Sequence, residues 1–128
     1  MKIFFAFWET AAWTFFMLVL FLIPSQDIPS VPHIPHQDKF AHIGLFMIFT
    51  ILYLRGRLKT SSLKTFVPKH IFTAFFFVLL LAIMVELLQD MMHAGRDGDV
   101  TDILHDFAGF TLGSLFMILI HGVRSRSL

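Results

Sequence analysis

Ionisable side chains repeat at helical spacing in three short segments of this 128-residue chain. Asp38 and His42 are four residues apart, and Asp102 and Asp106 repeat that spacing further along the sequence. Residues separated by three or four positions share one face of a helix. A carboxylate beside an imidazole can orient it as a general base, and several carboxylates together can hold a divalent cation. The spacing therefore indicates a polar pocket assembled from several helices.

A third segment and two cations complete this candidate pocket. Glu86, Gln89 and Asp90 form one polar stripe at spacings of three and four. Lys39 and Arg96 are cations of the kind that hold a phosphate or carboxylate group. The pocket candidates are Asp38, Lys39, His42, Glu86, Gln89, Asp90, Arg96, Asp102 and Asp106. These residue types suit acid–base chemistry, cation binding or ligand recognition, and no single residue is assigned as catalytic.

The elements that would position these residues are four apolar segments. Hydrophobic residues make up 56% of the chain, including 17 Phe, and they concentrate in blocks. Since a membrane-spanning helix needs about 20 mostly apolar residues, the sequence predicts spanning helices at about 3–23, 38–57, 69–92 and 100–121. The middles of these segments lack the polar stripes of a soluble helical bundle. We therefore predict an all-α membrane four-helix bundle that forms one domain over residues 1–128.

The distribution of charge predicts how the bundle is oriented. Cytoplasmic loops are enriched in Lys and Arg, and eight of the ten Lys and Arg residues fall on the side of the two termini. Both termini are therefore predicted to be cytoplasmic. Eight of the nine acidic residues then fall on the extracytoplasmic side, together with the candidate pocket. Glu9 is the exception, and we expect it to reach the inner interface or to meet Lys2.

The composition excludes several classes of chemistry. The chain has no Cys, so disulfides, thiolate catalysis and Cys-based metal sites are ruled out. His33 and His36 lie in a proline-rich loop without a third ligand nearby, and we interpret them as solvated. No basic patch with interleaved aromatic residues indicates nucleic-acid binding. No metal ligand set is predicted, although a divalent cation is left open as a cofactor.

Small residues and a capping residue occur in the fourth predicted helix. Gly109 and Gly113 form a Gly-x-x-x-Gly pattern, which lets a neighbouring backbone approach closely. This contact is predicted to hold Asp102 and Asp106 against a facing helix, and a homodimer through the same glycines is left open. Asp99 is expected to cap the N-terminus of the helix.

The order of these motifs resembles that of the VanZ-like membrane proteins. The residues that carry the resemblance are Ser25, Asp38, Lys39, His42, Phe46, Glu86, Gln89, Arg96, Asp102, Asp106, Gly109 and Gly113. Each motif is short, but their order and their placement on four apolar spans are together specific. Asp106 is a departure, because many members have Asn there, and the added charge argues against a role that needs a neutral amide.

The resemblance implies a multi-pass protein of the bacterial plasma membrane with a role in the cell envelope. The founding member of the family is associated with low-level resistance to the glycopeptide teicoplanin. The expected partners are therefore the lipid bilayer and a lipid-linked or peptidoglycan-related ligand, and not nucleic acid.

Three functions stay open on the sequence. The favoured one is an outward-facing pocket that binds or acts on a lipid-linked or cell-wall-related molecule. The second is an intramembrane enzyme that uses acid–base or metal-assisted chemistry on a lipid-linked phosphate. The third is a structural or accessory membrane protein in which the polar groups only join the helices. Transport is disfavoured, because the inner halves of the predicted helices have no continuous polar path.

Overall fold

Four α-helices make up the computed structural model of the chain, which describes residues 1–27, 35–62, 65–66, 68–93, 95 and 98–122. The helices are α1 (Lys2–Leu22), α2 (Gln37–Thr60), α3 (Pro68–Met92) and α4 (Val100–His121). A 3₁₀ turn at Ser25–Asp27 follows α1, and the described ranges contain no β-strand. All four helices are long and apolar enough to span a membrane. The predicted fold class, an all-α membrane four-helix bundle, is confirmed.

Large apolar side chains cover the outer faces of the helices. Phe4, Phe15, Phe72 and Leu119 are between 71% and 84% exposed. A soluble monomer rarely presents such residues in large contiguous patches, whereas a lipid-facing surface requires them. The chain is therefore a multi-pass membrane protein.

Helix α2 is the central element, because it contacts each of the other three helices and packs most extensively against α4. Ile43 of α2 faces Gly109 of α4, and Met47 faces Gly113 four residues further along both helices. The two helices are therefore parallel and in register. Both begin at the same end of the bundle, where α1 and α3 end. We call this the polar end.

Gly109 and Gly113 allow this close approach of α4 to α2. A Cβ atom at Gly109 would collide with the carbonyl oxygen of Ile43, and one at Gly113 would lie 2.7 Å from the carbonyl oxygen of Met47. Backbone atoms cannot move aside as the end of a flexible side chain can. Both glycines therefore serve a contact within the chain, on the face that continues toward Asp102 and Asp106.

An apolar core lies directly beneath the polar end. The ring of Phe21 packs against the imidazole of His42, with centroids 4.5 Å apart, and Phe46 lies 6.2 Å from Phe21. The buried side chains of this core are Met17, Phe21, Phe46, Phe49, Val78, Leu81, Ala82 and Val85. This layer separates the polar residues at one end from the opposite half of the bundle.

At the opposite end, Glu9 of α1 pairs with α2. Its carboxylate accepts a 2.9 Å hydrogen bond from Lys59 Nζ and lies 3.8 Å from the guanidinium of Arg55. We expected Glu9 to reach the inner interface or to meet Lys2, and its partners are Lys59 and Arg55 in place of Lys2. The reason is that α2 continues to Thr60, beyond the predicted end at residue 57, and so presents Lys59 on the face toward α1.

Candidate functional site

The candidate site is built around a buried histidine–aspartate pair between α2 and α4. His42 Nδ1 lies 2.8 Å from Asp106 Oδ1, and both side chains are fully buried. The other ring nitrogen of His42, Nε2, lies 3.6 Å from Asp102 Oδ2. Asp102 is 4% exposed. The parallel register of α2 and α4 produces this arrangement, since it places each four-residue repeat opposite the other.

Lys39 connects the rim of the site to the start of α4. Its Nζ donates a 2.9 Å hydrogen bond to Thr101 Oγ1 and lies 3.7 Å from Asp99 and 3.8 Å from Asp102. The Lys39 side chain is 31% exposed. The lysine therefore partly neutralises the entrance of the site while the buried His42 lies below it.

Asp99 caps the N-terminus of α4, as the sequence predicts. Its Oδ1 accepts a 2.8 Å hydrogen bond from the Thr101 backbone N–H. Hydrogen bonds from the Thr101 hydroxyl and backbone N–H, with Lys39 nearby, lower the pKa of the Asp99 carboxyl from its ordinary value. Asp99 is thus held as a carboxylate at the rim of the site.

Glu86 connects α3 to the N-terminus of α4. Its Oε2 accepts a 2.7 Å hydrogen bond from the Asp99 backbone N–H, and the residue is 8% exposed. Gly98 makes this contact sterically feasible, because a Cβ there would lie 2.9 Å from the carbonyl oxygen of Glu86. Glu86 therefore positions the start of α4 as well as adding a carboxylate to the cluster.

The remaining pocket candidates take different positions. Gln89 Nε2 donates a 3.0 Å hydrogen bond to the carbonyl oxygen of Phe21, so it satisfies the last turn of α1. Asp90 is exposed at the end of α3. Arg96 and His33 lie outside the described residues, and His36 is exposed at the start of α2. The buried part of the site therefore comprises fewer groups than the sequence grouped together.

Sequence reasoning did not assign Thr101 and Gly98 to the site. Thr101 accepts from Lys39 and orders the Asp99 carboxylate, and Gly98 permits the contact with Glu86. The sequence offered one indication of these roles, which is that both residues lie close to Asp99, the predicted N-cap of the fourth helix. Their roles depend on the register between helices, which the spacing within one helix does not contain.

The cluster has the chemistry of a cation or proton site. Five carboxylates of the described chain gather here, against the ammonium group of Lys39 and the imidazole of His42. These carboxylates are Asp38, Glu86, Asp99, Asp102 and Asp106. Ligand atoms of Asp38, His42 and Asp102 all lie within 4.8 Å of one another. Such a group can bind a divalent cation, and the oriented imidazole can accept a proton.

Two cavities elsewhere in the bundle have a different character. An apolar groove of about 320 Å³ lies midway along α1, α2 and α3, lined by residues such as Phe7, Thr14, Phe49 and Met84. A polar cavity of about 330 Å³ near Arg57 lies at the opposite end. The groove has the surface of a lipid-covered crevice. The polar end is the better candidate because charged groups are buried there.

Comparison with known proteins identifies a family. The family model described as VanZ/LLP1 matches residues 1–121, nearly the whole chain. No curated protein and no solved structure gives a significant match.

Proposed function

The chain belongs to the VanZ/LLP1 family, and on that premise we propose that it is a bacterial cell-envelope protein whose polar pocket binds or acts on a lipid-linked or cell-wall-related molecule. The pocket is the cluster around His42 at the polar end. By binding a cell-wall precursor there, the protein would alter its display, and so contribute to resistance of the glycopeptide (teicoplanin) type.

The observation that carries this proposal is a fully buried His42–Asp106 pair beneath a charged, accessible rim formed by Asp38 and Lys39. Ionisable groups in a membrane are unfavourable by several kcal/mol unless they are paired or hydrated. A hydrogen bond between spanning helices contributes only about 0.6–2 kcal/mol. Gly109 already brings the helices together, so a structural lock would need few of these groups. Their concentration favours a ligand site.

The orientation of the bundle in the membrane is part of the same proposal. The polar end would face the extracytoplasmic side of the plasma membrane, where lipid-linked cell-wall intermediates present their headgroups. The excess of Lys and Arg in the loops at the other end supports this orientation. Arg55 and Lys59, which pair with Glu9, lie at that opposite end.

Neutral isosteric substitutions test the proposal. Asp38→Asn and Asp102→Asn should weaken binding of a muramyl-pentapeptide polyprenyl diphosphate to the purified protein at least tenfold, because these carboxylates would accept hydrogen bonds from its sugar hydroxyl and peptide amide groups. They should also raise the teicoplanin sensitivity of a strain that depends on the protein, while its abundance in the membrane stays normal. Asp27→Asn is the matched control, because Asp27 is an exposed carboxylate at the same end outside the cluster.

Three results would count against the pocket. The first is a folded wild-type protein that binds no lipid-linked probe, and the second is binding by Asp38→Asn and Asp102→Asn that equals that of the wild type. The third is membrane abundance that falls in proportion to the phenotype in every variant, which would favour a purely structural role. The binding assay decides the matter even in a strain without a drug phenotype.

A second function, an intramembrane enzyme, is favoured by one feature. Asp106 orients His42 and leaves Nε2 facing Asp102, which is the arrangement of a carboxylate-oriented general base. Incubation of the purified protein with a radiolabelled polyprenyl diphosphate would reveal phosphate release. If Asp106→Asn loses turnover but retains probe binding, the protein is an enzyme and not only a binding protein.

A further inference from the structure

We propose that Asp38, Asp102 and the Nε2 atom of His42 bind one divalent transition-metal cation, such as Mn²⁺ or Zn²⁺, at the polar end. The site has two carboxylate ligands and one imidazole ligand. The Asp38 side chain is exposed, so one side of the site is open to a further ligand. No spacing in the sequence predicts this set, because its three members come from two helices.

The distances fit a metal centre. Two ligand atoms that each lie about 2.1 Å from a metal are separated by roughly 3.0–4.2 Å, depending on the coordination geometry. His42 Nε2 and Asp102 Oδ2 are 3.6 Å apart, within that range. All three ligand atoms, including one from Asp38, lie within 4.8 Å of one another. Because the Asp38 side chain is exposed, it is free to rotate and bring its carboxylate into that range.

The buried imidazole supplies an observation that is independent of the acidic cluster. His42 is fully buried, and its Nε2 atom has no hydrogen-bond partner among the described residues. Buried polar atoms are normally satisfied, so an orphaned nitrogen requires an explanation. Since Nδ1 binds Asp106, the neutral ring has its lone pair on Nε2, directed toward Asp102.

Asp106 is then a positioning residue and not a ligand. Metal-bound histidines commonly donate their second ring N–H to a carboxylate, which fixes the tautomer and the ring orientation. The 2.8 Å contact between His42 Nδ1 and Asp106 Oδ1 has this form. The arrangement differs from a cation held by Asp102 and Asp106 together, because Asp106 Oδ1 faces the histidine.

The charge of the cluster also favours a cation. Lys39 lies 3.7 Å from Asp99 and 3.8 Å from Asp102 and hydrogen-bonds to Thr101, so it is directed toward the start of α4. Within the described chain, no Lys or Arg forms an ion pair with Asp38 or Asp106. A mixed nitrogen and oxygen ligand set favours Mn²⁺ or Zn²⁺ over Ca²⁺, which prefers oxygen ligands alone.

A bound divalent cation would offset two of the negative charges of the cluster and offer open coordination positions to a phosphate, and this consequence rests on the proposed function. An acidic cluster repels the phosphate of a lipid-linked molecule, whereas a metal with open positions attracts it. The metal site itself depends only on residues of this chain, so the two ideas can fail separately.

Manganese titration of the full-length protein in detergent tests the site. Electron paramagnetic resonance should show saturable binding of one Mn²⁺ per chain, with nitrogen coupling from an imidazole. Zn²⁺ should displace it. Asp38→Asn should weaken Mn²⁺ binding at least tenfold, and His42→Gln should abolish the nitrogen coupling. Asp106→Asn should weaken binding by about 10–100-fold, as is usual for a residue that orients a ligand.

Controls separate the metal from the fold and from the lipid ligand. Asp27→Asn should bind Mn²⁺ like the wild type. Because Asp38 is exposed, Asp38→Asn should retain the helical circular dichroism of the wild type. Absence of saturable binding to the folded wild type, or unchanged affinity in Asp38→Asn, would overturn the metal site. Metal binding without binding of the polyprenyl probe would leave the site intact and refute the proposed function. Probe binding that is unaffected by a chelator would leave the proposed function intact and refute a role of the metal in holding the probe.

Discussion

The two ring nitrogens of His42 lie in different surroundings, and this asymmetry makes the residue more than a packing element. Nδ1 contacts Asp106, Nε2 faces Asp102, and one side of the ring packs on Phe21. An aromatic ring without polar atoms would fill the same space. Asp106 would then have lost its nitrogen donor, and Asp102 the nitrogen that lies 3.6 Å away.

Replacement of His42 alone should therefore be strongly destabilising. His42→Leu leaves Asp106 as a buried carboxylate without its partner, and breaking such a pair costs about 3–5 kcal/mol. The double variant His42→Leu/Asp106→Val removes the orphaned charge and should recover at least half of that loss. Unfolding in mixed micelles, followed by helical circular dichroism, measures both values. Strictly additive losses would show that the two residues are not coupled.

Asp99 gives a prediction for pH. Its folded-state pKa is lowered, mainly by the Thr101 hydroxyl and backbone N–H. The carboxylate therefore stabilises the folded protein above its unfolded-state pKa of about 3.9, and this contribution is lost as pH falls through the lower folded-state value. Asp99→Asn retains a capping oxygen but cannot ionise. The wild type should be more stable than Asp99→Asn at neutral pH, and this difference should vanish in acid. A difference that does not change with pH would contradict the prediction.

At the scale of the helices, the parallel register of α2 and α4 makes the site. Hydropathy was enough to predict the four helices, and a single spacing of four was enough to place Asp38 with His42 and Asp102 with Asp106. The register could not be predicted, because Gly109 indicates a close contact without naming the helix that makes it. The extension of α2 to Thr60 was missed since its last turn is polar.

The close contact of the helices can be tested with two glycines that differ in their surroundings. Gly109→Ala should destabilise the protein by about 1–3 kcal/mol, because its Cβ would meet the Ile43 carbonyl and force the helices apart. Gly44→Ala is the matched control, since a Cβ there would have no atom of another described helix within 4 Å. It should be neutral or stabilising by up to about 1 kcal/mol.

The same variants separate packing from function. Because Gly109 lies one turn below Asp106, its substitution should also weaken Mn²⁺ binding, while Gly44→Ala should leave it unchanged. Equal stability of the two variants in detergent unfolding would show that the bundle repacks without cost. In that case the glycine pattern would not fix the distance between His42 and Asp106.

At the scale of the whole molecule, the helices have polar residues mainly at their two ends, and the two ends differ in charge. Carboxylates gather around His42 at the polar end, whereas Arg55 and Lys59 accompany Glu9 at the other. The distribution of apolar and charged residues along the sequence was sufficient to predict both the spanning helices and this difference in charge. It could not predict which residues are buried together, because that depends on contacts between helices and not on the sequence of any one of them.

The orientation of the bundle follows from this asymmetry and can be measured directly, because the chain has no native Cys. Single cysteines at two exposed positions, Asp27→Cys and Ser62→Cys, report on the polar end and the opposite end. A membrane-impermeant maleimide should label Asp27→Cys in intact cells and Ser62→Cys only after the membrane is permeabilised; the cysteine-free parent should remain unlabelled. The reverse pattern would place His42 and its carboxylates at the cytoplasmic face. A pocket there could not reach an extracytoplasmic cell-wall precursor, although it could still bind a metal.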